Sequence, residues 1–230
     1  LDHRDPERYE VIIFENPAYV SRGPFFDILN RVVYMLTLSM VNLDRDEDGT
    51  PRAQLYVKRA AADEGDRAFF SKGELYVQPP GFTEPVWENS LRELANSTYA
   101  SKRLLDDNDY RFFALTARQR AYEYAGLRLN SQDQQELQSL RNRSSLVDYY
   151  QFTRDQHYEL MSLFPDQQSV RNEFYRHENG YYIPPDHIFP IGDNRDNSID
   201  GRYFGPVAYE KVLGKANVIF WPISRASVIR

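Results

Sequence analysis

The feature that most constrains this chain is a polar loop near its carboxyl end, at residues 191–202. These twelve residues include three aspartates, two asparagines, two arginines and one serine, with apolar runs on both sides. An ordinary Asx-rich turn has solvated ion pairs and needs fewer hydrogen-bonding groups. Guanidinium groups can hold carboxylates through two parallel hydrogen bonds. We therefore expect the two arginines to pair with the three aspartates and to fix the loop: Arg195 and Arg202 with Asp193, Asp196 and Asp200.

The order of residues in this loop favours a functional role. It resembles the last motif of type I signal peptidases, which reads Gly-Asp-Asn-Arg-Asp-Asn-Ser-x-Asp-Ser-Arg, and Gly201 is the one motif position that differs. The flanking residues, 183–189 and 214–222, also resemble the family. Ser198 is the only hydroxyl of the loop and can bond to a catalytic group.

A second segment, residues 55–66, resembles the family's lysine motif, in which the lysine is the general base. Four residues match the family's motif: Lys58, Arg59, Gly65 and Asp66. Three residues differ from it: Ala60, Ala62 and Glu64. Alone, Lys58 would be interpreted as a solvated lysine at a strand edge. The resemblance implies that Lys58 is the general base, that Ser198 orients its amine and that Arg59 pairs with Asp193. A third segment, residues 8–17, resembles a short family strand, with Tyr9 and Glu10 in place of Gly and Asp.

The chemistry requires a special environment for this lysine. A free lysine has a pKa near 10.4, so it can act as a base at neutral pH only if apolar surroundings lower that pKa. We predict that Leu55, Tyr56 and Val57 form a buried strand that supplies such surroundings. By resemblance, an extended substrate lies beside Gln54 and these three residues, held by backbone hydrogen bonds, with small residues such as Ala next to the cleaved bond.

The family's nucleophilic serine belongs to a Ser-x-Ser-Met-x-Pro motif that lies just after a membrane anchor and precedes these segments. The sequence begins at Leu1, already beyond the expected position of both. We therefore expect this chain to lack the N-terminal anchor and the nucleophile, and to be inactive alone. The alternative within the chain is Ser39, which Met40 follows; it lies between the first strand and Lys58, and the motif's proline is missing.

Composition excludes several other classes. A formal net charge of -6 and a pI near 5.3 argue against a nucleic-acid partner. There is no cysteine, and the four histidines show no ligand spacing, so we expect no metal. The serine and lysine chemistry needs no cofactor. The longest near-apolar run, residues 32–41, is too short to cross a membrane, and we expect it in the core.

The pattern along the chain predicts three parts. A mainly β catalytic core of antiparallel sheets is expected in residues 1–84 and 166–230, with an α-helical insertion at residues 85–165. Strands separated by turns are predicted through residues 8–81, including residues 31–43, where apolar and polar residues alternate. A turn is predicted at residues 71–73.

The insertion departs from the family, which commonly has a largely β segment there. We predict that Thr116 starts one helix through a capping box with Gln119, and that Gly126 ends it. A second helix is predicted to start at Ser131, and two of its leucines should share one face: Leu137 and Leu140.

The resemblance implies signal peptidase I, a serine endopeptidase that removes N-terminal signal peptides from exported bacterial preproteins. Its partners would be those signal peptides and the inner membrane, with the catalytic domain on the outer, periplasmic face. The alternative is an inactive relative that serves as a peptide-binding or scaffold module. The absent serine favours it, as do the six differences from the family's motifs: Tyr9, Glu10, Ala60, Ala62, Glu64 and Gly201. A third hypothesis is a structural β domain with a helical interaction arm, in which Lys58 and Ser198 would be far apart.

Overall fold

Two antiparallel sheets form the scaffold of this chain. The computed structural model describes residues 5–36, 43–45, 49, 52–141, 145–216, 218–219 and 227–228. The strands are β1 (Val11–Glu15), β2 (Leu55–Ala62), β3 (Arg67–Ser71), β4 (Glu74–Gln78), β5 (Val86–Trp87), β6 (Tyr181–Tyr182), β7 (His187–Ile191), β8 (Val207–Ala208), β9 (Val212–Lys215), β10 (Val218–Ile219) and β11 (Ser227–Val228). The helices are α1 (Pro24–Leu36), α2 (Glu88–Leu94), α3 (Asp107–Tyr124), α4 (Ser131–Ser139), α5 (Tyr149–Leu163), α6 (Gln168–Asn179) and α7 (Gly201–Phe204).

The first sheet has the strand order β8-β7-β2-β1-β9, so β2 lies at its centre. Alternation along β1 buries Ile12 and Phe14 completely, as expected for a strand with one covered face. The predicted strand at residues 8–17 is thereby confirmed. Three further buried residues complete this core cluster: Ala60, Ile188 and Val207.

The second sheet has the order β5-β4-β3-β6. Its β3–β4 hairpin turns at Lys72 and Gly73, whose φ angles of 47° and 72° are both positive, as a tight two-residue hairpin requires. The turn predicted here is confirmed. Phe70 and Leu75 of this sheet share one buried cluster with Ala61 of β2, so the two sheets pack together. The predicted mainly β core with a helical part is therefore confirmed.

Helices dominate the middle of the chain and extend to Asn179, beyond the predicted end of the insertion. The predicted start at Thr116 is wrong. The helix α3 begins nearly three turns earlier, where Asp106 and Asp109 form a reciprocal capping box. Thr116 lies inside the helix, and its hydroxyl donates to the Phe112 carbonyl oxygen at 2.8 Å.

The other predicted features of this helical segment are confirmed. Gly126 follows α3 with a φ of 70°, the left-handed conformation that ends many helices. The helix α4 begins at Ser131, and Asn130 caps it by accepting from the Asp133 backbone N–H. Leu137 and Leu140 lie together in one buried cluster.

The strand predicted at residues 31–43 is wrong for residues 31–36, which belong to α1. Residues 37–42, including Ser39, lie outside the described residues. The first helical residue is Pro24, a position that proline favours, and apolar side chains then recur at helical spacing. They face outward rather than into the core: Phe25 is 81% exposed and Ile28 is 62% exposed. Among the described helices, none combines the length and the apolar character needed to cross a membrane.

Candidate active site

The structure brings Lys58 and Ser198 together from positions 140 residues apart in the chain. Lys58 projects from β2, and its Nζ donates to Ser198 Oγ at 2.8 Å. Ser198 lies in the loop that follows β7. Gly192 makes this approach possible, because a Cβ atom there would lie 2.1 Å from Ser198 Oγ.

The environment of Lys58 lowers the pKa of its amine. Burial lowers the pKa of Lys58, and the nearby Arg202 lowers it further, whereas Asp200 and Asp193 act in the opposite direction. The Lys58 amine also lies 5.4 Å from the centre of the Tyr56 ring. Desolvation is the largest influence, so the amine releases its proton more readily than a free lysine does.

The apolar surroundings of the lysine come only in part from the predicted source. The strand at residues 55–57 is confirmed, but its predicted burial is wrong, because Leu55 is 39% exposed and Val57 is 54% exposed. Tyr56 points away from Leu55 and Val57, on the same face as Lys58, and packs with Phe14 and Phe204. Alternation along the strand explains this result, since it can bury only one face here.

Arg59 points away from Lys58 and ties β2 to the polar loop. Its Nε and Nη2 donate to the two Asp193 carboxylate oxygens at 2.8 and 2.7 Å, which is the forked pair implied by the resemblance. Its Nη1 donates to the Tyr9 carbonyl oxygen at 2.6 Å. Tyr9 has a φ of 71°, a conformation for which glycine is better suited. The guanidinium carbon of Arg59 lies 3.8 Å from the centre of the Tyr99 ring.

A second forked pair closes the polar loop on itself. Arg202 donates from Nε and Nη2 to Asp200 at 2.9 and 3.1 Å, and both side chains are almost completely buried. Asp200 also accepts from the Gly192 backbone N–H at 3.0 Å. These bonds fix both ends of the turn that carries Ser198.

The predicted partners of Arg195 and Asp196 are wrong. Arg195 donates instead to both carboxylate oxygens of Glu88 at 2.8 and 2.7 Å, in a buried pair. Asp196 accepts from Arg103 at 3.2 Å and from the Leu105 backbone N–H at 2.9 Å. Glu88 and Arg103 lie far away in the sequence, among ordinary charged residues, so no local pattern distinguishes them.

The packing around Gly201 explains why this position differs from the family motif. A Cβ atom there would lie 2.7 Å from both the Phe189 ring and the Pro190 carbonyl oxygen. A serine, which the family has here, would not fit in this chain without a shift of β7.

The backbone N–H and C=O groups of the predicted substrate-binding strand face two opposite sides. The Gln54 carbonyl oxygen accepts from the Asn16 N–H, and the Ala60 N–H donates to the Glu10 carbonyl oxygen, so both groups face β1. Alternation then directs the backbone groups of Leu55 and Val57 to the opposite side. On that opposite side, β7 pairs with β2 only from Arg59 to Ala62. No described strand pairs with residues 55–57 on that side.

The histidines do not gather into a metal centre in the described part of the chain. His157 Nδ1 and His177 Nε2 lie 3.1 Å apart between α5 and α6, although the sequence suggested no grouping. Burial, together with the nearby His157, lowers the pKa of His177 to about 4. No group of three or more possible metal ligands exists among the described residues.

Comparisons with known proteins agree with the motif. The model of the family described as "Signal peptidase, peptidase S26" matches residues 2–221. The probable signal peptidase I-2 of Synechocystis sp. is 47% identical over 47 residues, which cover 20% of this chain and 22% of the relative. Mitochondrial inner membrane protease subunit 1 of Mus musculus is 39% identical over 49 residues, covering 21% of this chain and 30% of the relative. Thylakoidal processing peptidase 1 of Arabidopsis thaliana is 35% identical over 46 residues, covering 20% of this chain and 14% of the relative.

These matches therefore span less than a third of each of these three relatives. A crystal structure of a signal peptidase I from Enterococcus faecalis V583 aligns with a TM-score of 0.33 and 16% identity, covering 93% of this chain and 97% of that chain. The family model, in contrast, covers nearly all of the sequence. On that match, the chain belongs to the signal peptidase family, peptidase S26.

Proposed function

We propose that this chain is the catalytic region of a signal peptidase I, a serine endopeptidase that removes N-terminal signal peptides from exported preproteins. The observation that carries the proposal is the 2.8 Å hydrogen bond between Lys58 Nζ and Ser198 Oγ inside a loop that matches the family's motif. The family to which the chain belongs supports it.

In this mechanism Lys58 is the general base, and Ser198 orients its amine. The neutral amine takes the proton of the nucleophilic serine as the serine oxygen attacks the scissile carbonyl carbon. The resulting ammonium then gives that proton to the leaving amine, and an acyl-enzyme ester remains. The amine next takes a proton from water, whose oxygen attacks the ester carbonyl carbon. The ester C–O bond then breaks, the ammonium returns its proton to the serine oxygen, and the signal peptide leaves as a carboxylic acid.

The ion pairs of the polar loop support a neutral Lys58. Two carboxylates near the amine, Asp200 and Asp193, raise the pKa of Lys58 and so oppose the effect of burial. Each is held by two hydrogen bonds from an arginine, Asp193 by Arg59 and Asp200 by Arg202. Pairing partly offsets their negative charge, and burial remains the largest influence on the pKa of Lys58.

The substrate would bind as an added strand beside the open side of β2. The backbone groups of Leu55 and Val57 face that side, and Lys58 follows them directly, so a peptide bonded there places its scissile bond near the amine. Gln54 and Tyr56 would contribute through their side chains or through the shape of the strand, since their backbone groups face β1. Small residues such as Ala would flank the cleaved bond.

The nucleophile, the membrane anchor and the cellular location belong to the same proposal. The nucleophilic serine would come from a segment outside this sequence, next to an anchor in the inner membrane, with the catalytic region on the outer face. The 230-residue chain would then be inactive alone, because a base without a nucleophile cannot form the acyl-enzyme.

The test compares the chain alone with the chain joined to the upstream segment that its gene encodes. Cleavage of a fluorogenic preprotein peptide should occur only in the longer form. If the 230-residue chain cleaves the peptide and Ser39→Ala abolishes that cleavage, Ser39 is the nucleophile and this part of the proposal is wrong. If neither form cleaves any preprotein, the chain is an inactive relative.

A further inference from the structure

An open pocket lies beside the proposed active site, between the residues that precede α5 and the polar loop. Its volume is about 600 Å³, and it is lined by residues 145–149 on one side and by residues 195–199, 202 and 203 on the other. This α5 pocket has Ser198 in its wall, and Ser198 Oγ bonds to Lys58. The pocket therefore borders Ser198, the residue to which the Lys58 amine donates, while Lys58 itself does not line it.

The walls of the α5 pocket are mainly apolar. Leu146, Val147 and Tyr149 form one wall, and Ile199 and Tyr203 belong to the other. Three of these side chains are large and well exposed, with 64% of Tyr149, 62% of Ile199 and 45% of Tyr203 accessible to solvent. Exposed apolar groups from two separate segments that meet at one cavity are typical of a binding site.

The charged groups of the pocket are already neutralised within the protein. Asp148 is buried, accepts from the Gln151 backbone N–H at 3.0 Å and from the Tyr110 hydroxyl at 3.3 Å, and lies 4.0 Å from Arg202. Arg202 is held by Asp200. A charged ligand group would find no unpaired opposite charge here and would lose its hydration, whereas an apolar group would gain from burial.

We infer that the α5 pocket binds one large apolar side chain, aliphatic or aromatic, of the peptide that is held at the Lys58 and Ser198 site. This inference rests on the proposed function. Because an extended peptide advances about 3.3 Å per residue, a side chain only a few positions from the scissile bond reaches a pocket that begins at Ser198. A volume of about 600 Å³ lies within the usual range for ligand pockets and accommodates an aromatic side chain.

The pocket gives the helical segment a role in substrate selection. Residues 145–148 lie between α4 and α5, and Tyr149 is the first residue of α5. Ile199 belongs to the polar loop and Tyr203 to α7. One wall thus comes from the helical segment and the other from the catalytic core. A peptide with a large apolar residue at the matching position should be preferred over one with Ala there.

The experiment measures binding of fluorescent peptides to the full 230-residue chain by anisotropy. The probes are ten-residue alanine-rich peptides in which a single Phe is moved along the positions. In the wild type, Phe at one position should bind about tenfold more tightly than Ala, the effect of filling an apolar pocket. Tyr149→Ala should abolish this gain, and Tyr149→Phe should keep it, because the hydroxyl is not needed.

The matched control is Tyr124→Ala, which removes a tyrosine of similar exposure, 69%, that does not line the pocket. It should leave the positional gain unchanged. If peptides bind but Phe gives no gain at any position, or if Tyr149→Ala keeps the gain, the inference is overturned while the proposed function stands. If no peptide binds at all, the proposed function fails together with the inference. If the chain self-associates and Tyr149→Ala abolishes that self-association, the pocket is occupied by a second copy of the chain and the inference is overturned.

Discussion

The two halves of β2 share one strand but are covered very differently. From Arg59 to Ala62 the strand pairs with β7 on one side and with the region of β1 on the other, and its three alanines are completely buried. From Leu55 to Lys58 it pairs with β1, and no described strand covers its other side. The buried half holds the strand in place, and the open half leaves Lys58 and backbone groups available to a ligand.

Side-chain size accounts for the difference. Ala61 and Ala62 occupy one buried cluster with the Phe70 and Phe189 rings, so small residues let the two sheets approach closely. In the open half, Leu55 and Val57 extend into solvent and pack little. Changes in the buried half should therefore affect stability first, whereas changes in the open half should affect activity first.

The largest expected effect is at Lys58, where activity and stability should separate most clearly. In an active, extended form, Lys58→Ala should reduce preprotein cleavage by roughly 10²- to 10⁴-fold, the contribution of a general base. Lys58→Arg should be equally inactive, because a guanidinium stays protonated. Thermal melting of both variants should remain close to wild type.

A matched control for this prediction is Lys72→Ala, since Lys72 is an exposed lysine on the hairpin of the second sheet. It should cleave like the wild type. Cleavage retained by Lys58→Arg would point to another base, and a large fall in melting temperature would make Lys58 a structural residue instead.

The next largest effect on cleavage is expected in the polar loop, which carries Ser198 to the open half of β2. Gly192→Ala places a Cβ atom against Ser198 Oγ, so Ser198 must move away from Lys58. A displacement of about 1 Å at a catalytic group can cost roughly 100-fold in rate. Cleavage kinetics and the pH profile should both change, because the orientation of the amine changes. Unaltered kinetics would show that Ser198 does not position Lys58.

A smaller effect should be a difference between the two halves of β2 in how substitutions change the free energy of unfolding. Ala61→Leu adds volume to a fully buried position and should destabilise the fold by about 1–3 kcal/mol, the usual cost of overpacking. Val57→Leu adds volume to a side chain that is 54% exposed and should change stability by less than about 0.5 kcal/mol. Urea unfolding of both variants measures the difference. Equal destabilisation would mean that the open half is as tightly packed as the buried half.

The sequence predicted the contacts of the site that are made between residues of the family's motifs. Lys58, Ser198, Arg59 and Asp193 meet as the resemblance implied, since the spacing of their motifs reflects fixed positions on β2 and in the loop after β7. The role of each residue in catalysis remains a proposal. The predicted sheets were also confirmed, because a short, continuous apolar run such as that of β1 predicts a buried strand.

Other parts had no local signal. The partner of Arg195 is Glu88, 107 residues away, and a guanidinium can pair with any carboxylate that the fold brings near. The helix α1 was mistaken for a strand because a short apolar run fits either periodicity, and its outward apolar face contradicts the rule that such runs are buried. Gly201 is explained by its close approach to the Phe189 ring and the Pro190 carbonyl oxygen of β7, a contact that only the folded loop creates.

The smallest expected effect is the pH dependence of stability that Lys58 produces. Burial lowers the pKa of Lys58 in the folded chain from its ordinary value of 10.5. Between the lowered pKa and 10.5, the unfolded chain binds more protons at this residue than the folded chain does, so the contribution of Lys58 to stability should rise with pH across that window. Below the window both states are protonated and the cost of burying the ammonium is fully present. Lys58→Met removes this titration, so the stability of the wild type relative to Lys58→Met should increase as the pH is raised towards 10.5. Urea unfolding at a series of pH values measures the difference, and a flat difference would mean that the lysine titrates like one in water and that the open half of β2 does not desolvate its amine.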